Sequence, residues 1–330
     1  MNIAILMPDN YARKNFITPK VLQKLEGLGR VTFNDGEYEP RQIKKLLESA
    51  DICVTGWGCI NLSEDLLNTA KSLRLLVHTG GTVANIVSDY MYDKGIRVLS
   101  GNEIMAEGVA ESTLAFIFAG LRQIPFYSNQ VQNGQWKAVG TYAYGLMGKK
   151  VGLVGFGAIA RYLVAMLQPF RVEIQVYDPY LDEAMFEKYG VSRAGSLDEV
   201  FTGNDIVSLH LAQRPENNNI IGKELLSKMR DGALLVNTAR GSVIVDDDLA
   251  DELKTGRISA VLDVFHEEPL PLDSRLRGMD NAILIPHMAG HVFERYEMAA
   301  LALAEDVQRF VSGKPLLYEI SREYAGKMTQ

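Results

Sequence analysis

Three short segments in the second half of the chain carry side chains whose chemistry is complementary. Val236-Asn237-Thr238-Ala239-Arg240-Gly241 ends an apolar run with an arginine. Its planar guanidinium suits bidentate binding of a carboxylate. Val261-Leu262-Asp263-Val264-Phe265-His266-Glu267-Glu268-Pro269 sets carboxylates just past the next apolar run, and Ile285-Pro286-His287-Met288-Ala289-Gly290-His291 sets histidines past the last one. A histidine carries a proton near neutral pH, and an acid beside its ring orients it and favours the imidazolium. Residue type alone does not choose between Glu267 and Glu268, or between His287 and His291. The plainer alternatives are a surface ion pair for Arg240, a solvated acidic loop for the glutamates and packing or capping for the histidines. The i, i+4 histidine spacing also raises zinc. However, no glutamate follows His287 as H-E-x-x-H requires, and the two cysteines, Cys53 and Cys59, make no four-ligand site. No metal is expected. Neither G-x-S-x-G nor G-x-x-x-x-G-K-[ST] occurs, so hydrolase and P-loop readings fall away.

The strongest local signal is Val151-Gly152-Leu153-Val154-Gly155-Phe156-Gly157-Ala158-Ile159-Ala160, a G-x-G-x-x-A run directly after an apolar strand and opening a helix. Gly155 permits the tight turn, Gly157 admits a pyrophosphate to the backbone, and the small Ala160 keeps helix and strand close. Phosphate then meets free N–H groups at a helix N-terminus. An acid closes the next strand at Val176-Tyr177-Asp178-Pro179, 23 residues after Gly155. A carboxylate there accepts hydrogen bonds from ribose hydroxyls and repels a 2′-phosphate, which predicts NAD rather than NADP. The plain alternative for Asp178 is a turn-former before Pro179. With a dinucleotide, the arginine, acid and histidine would hold a carboxylate, polarise a carbonyl and carry a proton, as hydroxy-acid dehydrogenation demands.

These residues need elements to hold them. Short β-branched runs at 2–7, 31–34, 52–55, 73–78 and 96–99 alternate with helical periodicity, such as Val21, Leu22, Leu25 and Leu28. A long apolar segment, 106–124, reads as a buried helix, and a polar, glycine-containing connection over 133–149 follows it. The rhythm restarts at 150–154 and returns at 173–177, 205–209, 233–237, 260–264 and 282–285, before a last helix over 293–310. Continuous apolar strands separated by helices predict an α/β protein with two doubly wound parallel-sheet domains. In such sheets ligands gather at the carboxyl ends of the strands, where all three segments fall.

The chain has 330 residues with 34 basic and 41 acidic side chains, a net charge of −7, and 47% hydrophobic content. That is ordinary globular composition, and its acidic balance argues against nucleic-acid and anionic-membrane partners. The longest apolar stretch, around 114–121, is expected to fall short of a membrane span. The first residues, with no basic n-region, read as a strand rather than a signal peptide, so a cytoplasmic location with reduced cysteines is expected.

Taken together, the motifs resemble the D-isomer-specific 2-hydroxyacid dehydrogenase family. The family's Val-Ala-Glu appears as Val109-Ala110-Glu111, and its glycine–lysine segment ahead of the fingerprint as Gly145-Leu146-Met147-Gly148-Lys149-Lys150. Ala-Arg-Gly matches Ala239-Arg240-Gly241, Asp-Val-Phe-x-x-Glu-Pro matches 263–269, and Pro-His matches Pro286-His287. The resemblance singles out Glu268 and His287 and implies catalysis by Arg240, Glu268 and His287. It implies a Rossmann NAD-binding domain, 101–294, inserted into a flavodoxin-like substrate domain, 1–100 with 295–330, and homodimerisation through the insert. Cofactor contacts are expected from Gly155, Phe156, Gly157, Ala158, Ile159, Asp178, Pro179, His210, Ala212, Asn217, Thr238, Ala239, Arg240, Asp263 and His287. Asp263 would hold the nicotinamide carboxamide, while Gly80, Gly81 and Arg240 would bind a small 2-keto or 2-hydroxy acid. Departures are Ala160 for the commoner third glycine, His210-Leu211-Ala212 for the family's Pro-Leu-Thr region, and Gly80-Gly81-Thr82-Val83-Ala84 without the family's loop acid. A non-catalytic NAD-sensing protein on the same fold is the alternative. Formate or phosphite oxidation is a more distant one.

Overall fold

The computed structural model describes residues 1–137 and 142–329. The chain divides into two compact units, Met1–Ala106 with Val292–Gln330, and Glu107–His291.

The first unit is built on five parallel strands, β1 (Asn2–Ile5), β2 (Arg30–Phe33), β3 (Ile52–Thr55), β4 (Leu75–His78) and β5 (Arg97–Ser100), in the order β2-β1-β3-β4-β5. This is the flavodoxin-like order. Pleating sends alternate residues to opposite faces. Ala4, Cys53, Leu76 and Val98 pack with Ile43, Leu47 and Met91 on one face. Ile3, Ile5, Val54, Val77 and Leu99 pack on the other with Val21, Leu25, Leu303 and Val307. Val21 and Leu25 lie on the helix Pro19–Glu26, which Thr18 caps by accepting from the Val21 amide. Leu303 and Val307 lie on the helix Phe293–Val311. Buried Asp306 of that helix accepts the amides of Leu317 and Tyr318, and the strap so held bridges β5 antiparallel at Leu99 and Glu319. Both cysteines are free.

The second unit holds seven strands, β6 (Lys150–Val154), β7 (Glu173–Tyr177), β8 (Ser192–Arg193), β9 (Ile206–Leu209), β10 (Leu234–Asn237), β11 (Ser259–Leu262) and β12 (Ala282–Leu284), in the order β12-β11-β10-β9-β6-β7-β8. All pairings are parallel. Read from β6, this is the Rossmann order 3-2-1-4-5-6 with one further strand, and the direction of winding reverses between β6 and β9. The strands carry apolar side chains to both faces, as a sheet covered on both sides requires.

Three differences from the sequence reading have local causes. β8 is a two-residue, exposed edge strand whose Ser192 and Arg193 carry no apolar signal. The long helix runs over Asn102–Arg122 and stops where Gln123 takes a positive φ of 50°, after which Ile124–Gln132 starts a new helix with proline in its first turn. That first helix is long and apolar enough, by length and composition, to cross a membrane, which corrects the expectation of a shorter apolar stretch. Its Ala110, Ile117 and Leu121 are core residues of the second unit, and Gly120 lies against Leu234 and Val261, so packing on a sheet accounts for its apolar face. The connection expected at 133–149 lies partly outside the described residues.

Candidate active site

The glycine loop follows β6 at the point where the winding reverses. Gly155 has φ +91°, and a Cβ there would stand 2.7 Å from the His210 carbonyl oxygen. Both facts require glycine, whatever binds nearby. Gly157 is different: its φ is ordinary and a Cβ would meet nothing within 4 Å. The fold itself therefore does not demand glycine at 157, and the residue leaves the backbone open to a close ligand. The helix Ala158–Leu167 begins there with no side-chain cap and no acidic residue in its first turn. Its leading amides and dipole thus face outward for an anion. Asp178 ends β7 and turns back to the loop, with Oδ2 accepting from the Phe156 amide at 2.9 Å and Oδ1 from the Tyr180 amide at 2.9 Å. The turn-former reading is thus met, yet each oxygen keeps a lone pair for a ribose hydroxyl. Pro179 follows it on the surface. These features fit a dinucleotide.

Beyond β9, the His210 ring lies 2.9 Å from Ser208 Oγ, and burial pushes its pKa down to about 4. Asn217 donates to the Ala212 carbonyl and so braces its own loop. Thr238, past β10, shares a hydrogen bond with Thr113 of the long helix at 3.0 Å.

Arg240 is positioned by two residues. Asn237, fully buried at the end of β10, accepts the Ala239 amide and donates to the Arg240 carbonyl. Gly241 is set against β11's outgoing loop so closely that a Cβ would fall 1.8 Å from the Phe265 carbonyl carbon. Arg240 Nη1 donates to the Ala239 carbonyl at 2.7 Å. Burial lowers the guanidinium pKa, with the Glu268 charge opposing, and an arginine remains cationic throughout.

Glu268 and His287 meet. Glu268 Oε1 accepts the Phe265 amide at 3.0 Å, and Oε2 lies 2.7 Å from His287 Nδ1. A carboxylate only accepts, so Nδ1 carries the hydrogen and Nε2 is left for chemistry. His287 itself sits at φ +53°, in the left-handed region a non-glycine residue occupies only when its surroundings hold it. The holding group is Asp263, whose carbonyl accepts the His287 amide at 2.8 Å. The Asp263 carboxylate accepts the amides of Met288 and Ala289 at 2.7 and 3.0 Å. Burial raises the Asp263 pKa, and those two amides oppose the rise. Asp263 thus has a positioning task that the sequence did not suggest. Both members of the pair line a pocket of about 510 Å³ with Phe265, Leu270, Leu284 and Pro286.

Glu267 and His291 lie outside this pair. Glu267 is exposed, and the His291 pKa is lowered, first by partial burial and then by the His287 charge. Among the described residues no group of three or more His, Cys, Asp or Glu side chains is arranged to hold a metal ion. Gly80 and Gly81 belong to the first unit, after β4, where Ser100 Oγ donates to both of their carbonyls. Asn237 and Ser112, which donates to the Ala289 carbonyl, are the supporting residues that motif reading missed. A buried asparagine ending a strand was the available signal for the first.

Residues 114–289 match the family model described as D-isomer specific 2-hydroxyacid dehydrogenase, NAD binding domain. The chain is 31% identical over 291 residues to the D-3-phosphoglycerate dehydrogenase of Methanocaldococcus jannaschii, covering 88% of this chain and 55% of that protein. It thus spans about half the length of the phosphoglycerate dehydrogenases it matches. It is 30% identical over 273 residues to the hydroxypyruvate reductase of Thermotoga maritima, covering 82% of this chain and 87% of that one. A crystal structure of a phosphoglycerate oxidoreductase from Rhizobium etli superposes with a TM-score of 0.82 at 27% identity, covering 98% and 99% of the two chains. The second unit is therefore an NAD-binding domain, and the chain belongs to the D-isomer-specific 2-hydroxyacid dehydrogenase family.

Proposed function

We propose that the protein interconverts a 2-keto acid and a D-2-hydroxy acid with NAD. The observation that carries this is the Glu268–His287 pair, held at 2.7 Å by a loop that Asp263 pins, with Arg240 at the end of the neighbouring strand. When bound on the Gly155–Ile159 loop, NAD supplies or takes up the hydride. His287 Nε2 gives a proton to the carbonyl oxygen in reduction and takes the hydroxyl proton in oxidation. Glu268 keeps the ring in one tautomer and offsets the charge of the imidazolium. Arg240 binds the carboxylate and polarises the carbonyl. The amides of Gly80 and Gly81 have no acceptor among the described residues, which supports their assignment to the substrate.

The test is turnover of NADH with a panel of 2-keto acids. His287→Ala should lower kcat by about 10²–10⁴, the usual worth of general acid–base catalysis, with NADH affinity little changed. Arg240→Ala should raise KM for the keto acid as well, because that residue also meets the ground state. Unchanged turnover in His287→Ala refutes the relay, and no turnover by the wild type on any acid favours an NAD-sensing protein.

Homodimerisation through the NAD-binding unit belongs to the same proposal. Ile124, Val131, Trp136, Tyr144 and Met147, near one another in the sequence of that unit, are each exposed large apolar side chains, which supports this reading. Sedimentation of the full chain, and of Trp136→Glu, measures it: a monomeric wild type refutes the assignment.

A further inference from the structure

The first unit holds an aromatic cluster that the proton relay does not use. Phe16, Trp57 and Tyr296 pack edge to face with centroids 5.1–5.5 Å apart, and Tyr11 and Phe293 join Tyr296 at 6.3 and 6.5 Å. They arrive from three places: the helix Tyr11–Phe16 after β1, the loop after β3, and the start of the helix Phe293–Val311. The first two lie at the carboxyl edge of the sheet, where parallel sheets take their ligands.

The cluster has two layers. Phe16 and Tyr296 are buried and belong to the core, whereas Tyr11 and Phe293 are 63% and 67% exposed, with Trp57 between these extremes. Core packing explains Phe16, Tyr296 and the inner side of Trp57, but not the exposed Tyr11 and Phe293. Trp57 also ties the cluster to the loop assigned to substrate: a Cβ on Gly80 would stand 2.7 Å from the indole Nε1 and 2.6 Å from His78 Nε2. The aromatic surface therefore borders Gly80 directly. Arg13, two residues after Tyr11, is engaged within the protein rather than turned to a ligand. Arg13 donates Nη1 to the Met7 and Asn34 carbonyls and pairs Nη2 with Asp9 at 3.0 Å.

We infer that Tyr11, Trp57 and Phe293 receive the substrate's side chain, and that the substrate class is 2-keto acids bearing an aromatic group rather than a phosphate or a hydroxyl. This rests on the oxidoreductase reading above. Ring edges and faces of the three side chains would cover an aryl group, adding apolar contact and aromatic pairing that a short side chain does not make.

The experiment compares kcat/KM with NADH for phenylpyruvate, pyruvate, hydroxypyruvate and 3-phosphohydroxypyruvate in the wild type, Tyr11→Ala, Phe293→Ala and Trp57→Ala. The wild type should prefer phenylpyruvate over pyruvate by roughly tenfold or more, in the range a hydrophobic pocket discriminates. Each variant should lower that ratio severalfold. Tyr11 and Phe293 are exposed, so their alanine variants keep the fold even if Trp57→Ala does not. Turnover of pyruvate or hydroxypyruvate with no phenylpyruvate preference, a preference for 3-phosphohydroxypyruvate, or a ratio unmoved in Tyr11→Ala and Phe293→Ala overturns the aromatic assignment alone. No turnover on any acid overturns the oxidoreductase reading and this inference with it.

Discussion

Asp178 has a structural task and, under the proposed function, a selective one. Its two oxygens accept the amides of Phe156 and Tyr180, and this fixes the glycine loop against the end of β7. In the proposed complex that charge would lie beside the adenosine ribose, and a 2′-phosphate would meet it without a compensating arginine between 178 and 180. The protein should therefore show a higher kcat/KM with NADH than with NADPH, and equal or reversed values would refute the assignment. Asp178→Ala should narrow the preference but also loosen the loop, so the variant's affinity for NADH falls too. The acid was legible from its distance to Gly155. Its amide partners were not, because they depend on how the turn folds back.

At the scale of elements, the proposed catalytic groups depend on loops that touch one another past β10, β11 and β12. Gly241 marks the tightest approach, since no side chain fits between it and the Phe265–His266 peptide. Gly241→Ala must push apart the loop carrying Arg240 and the loop carrying Glu268. Its melting temperature should drop by several degrees, matching a loss of a few kcal/mol from overpacking, and kcat should fall with it. A variant of wild-type stability and rate would show that the loops yield freely. Here the motif letters were readable before their cause: Ala-Arg-Gly is a run of residues in sequence and a steric requirement in space. The left-handed φ of His287 had no counterpart in the sequence, because a non-glycine residue gives no local sign of it. Neither did β8, whose two exposed residues lack any apolar alternation.

For the whole molecule, the alternation of apolar strands and helices was enough to indicate two parallel sheets. Strand order came only from three-dimensional pairing. Burial of charge-capable groups in these sheets has a cost that depends on pH. His78 closes β4, is 2% exposed, and bonds through Nδ1 to Thr55 Oγ1 at 3.1 Å. Burial pushes its pKa down from the usual 6.5 to about 4. Between these values the unfolded chain binds a proton that the folded chain refuses, so stability is lost as pH falls from 6.5 toward 4. One such histidine contributes at most about 1.4 kcal/mol per pH unit, or about 2 kcal/mol between pH 6.5 and 5. His210 acts with the same sign. In urea titrations at pH 7 and pH 5, His78→Gln should show a smaller loss of stability than the wild type. An equal loss in both would show that His78 is protonated without penalty.

The strap held by Asp306 bears on how the chain comes off the ribosome. The NAD-binding unit is continuous from Glu107 to His291, whereas the five-stranded unit needs the helix Phe293–Val311 and the bridge from Leu99 to Glu319. Domains fold as units during synthesis, usually from the N-terminus. Here the order should be inverted: the first hundred residues wait, with one sheet face covered only in part by the helix Pro19–Glu26, while the later unit completes itself. Nascent chains stalled after His291 should therefore resist protease over 107–291 and be cut within 1–106, and protection of the first segment should appear only once residue 319 has emerged.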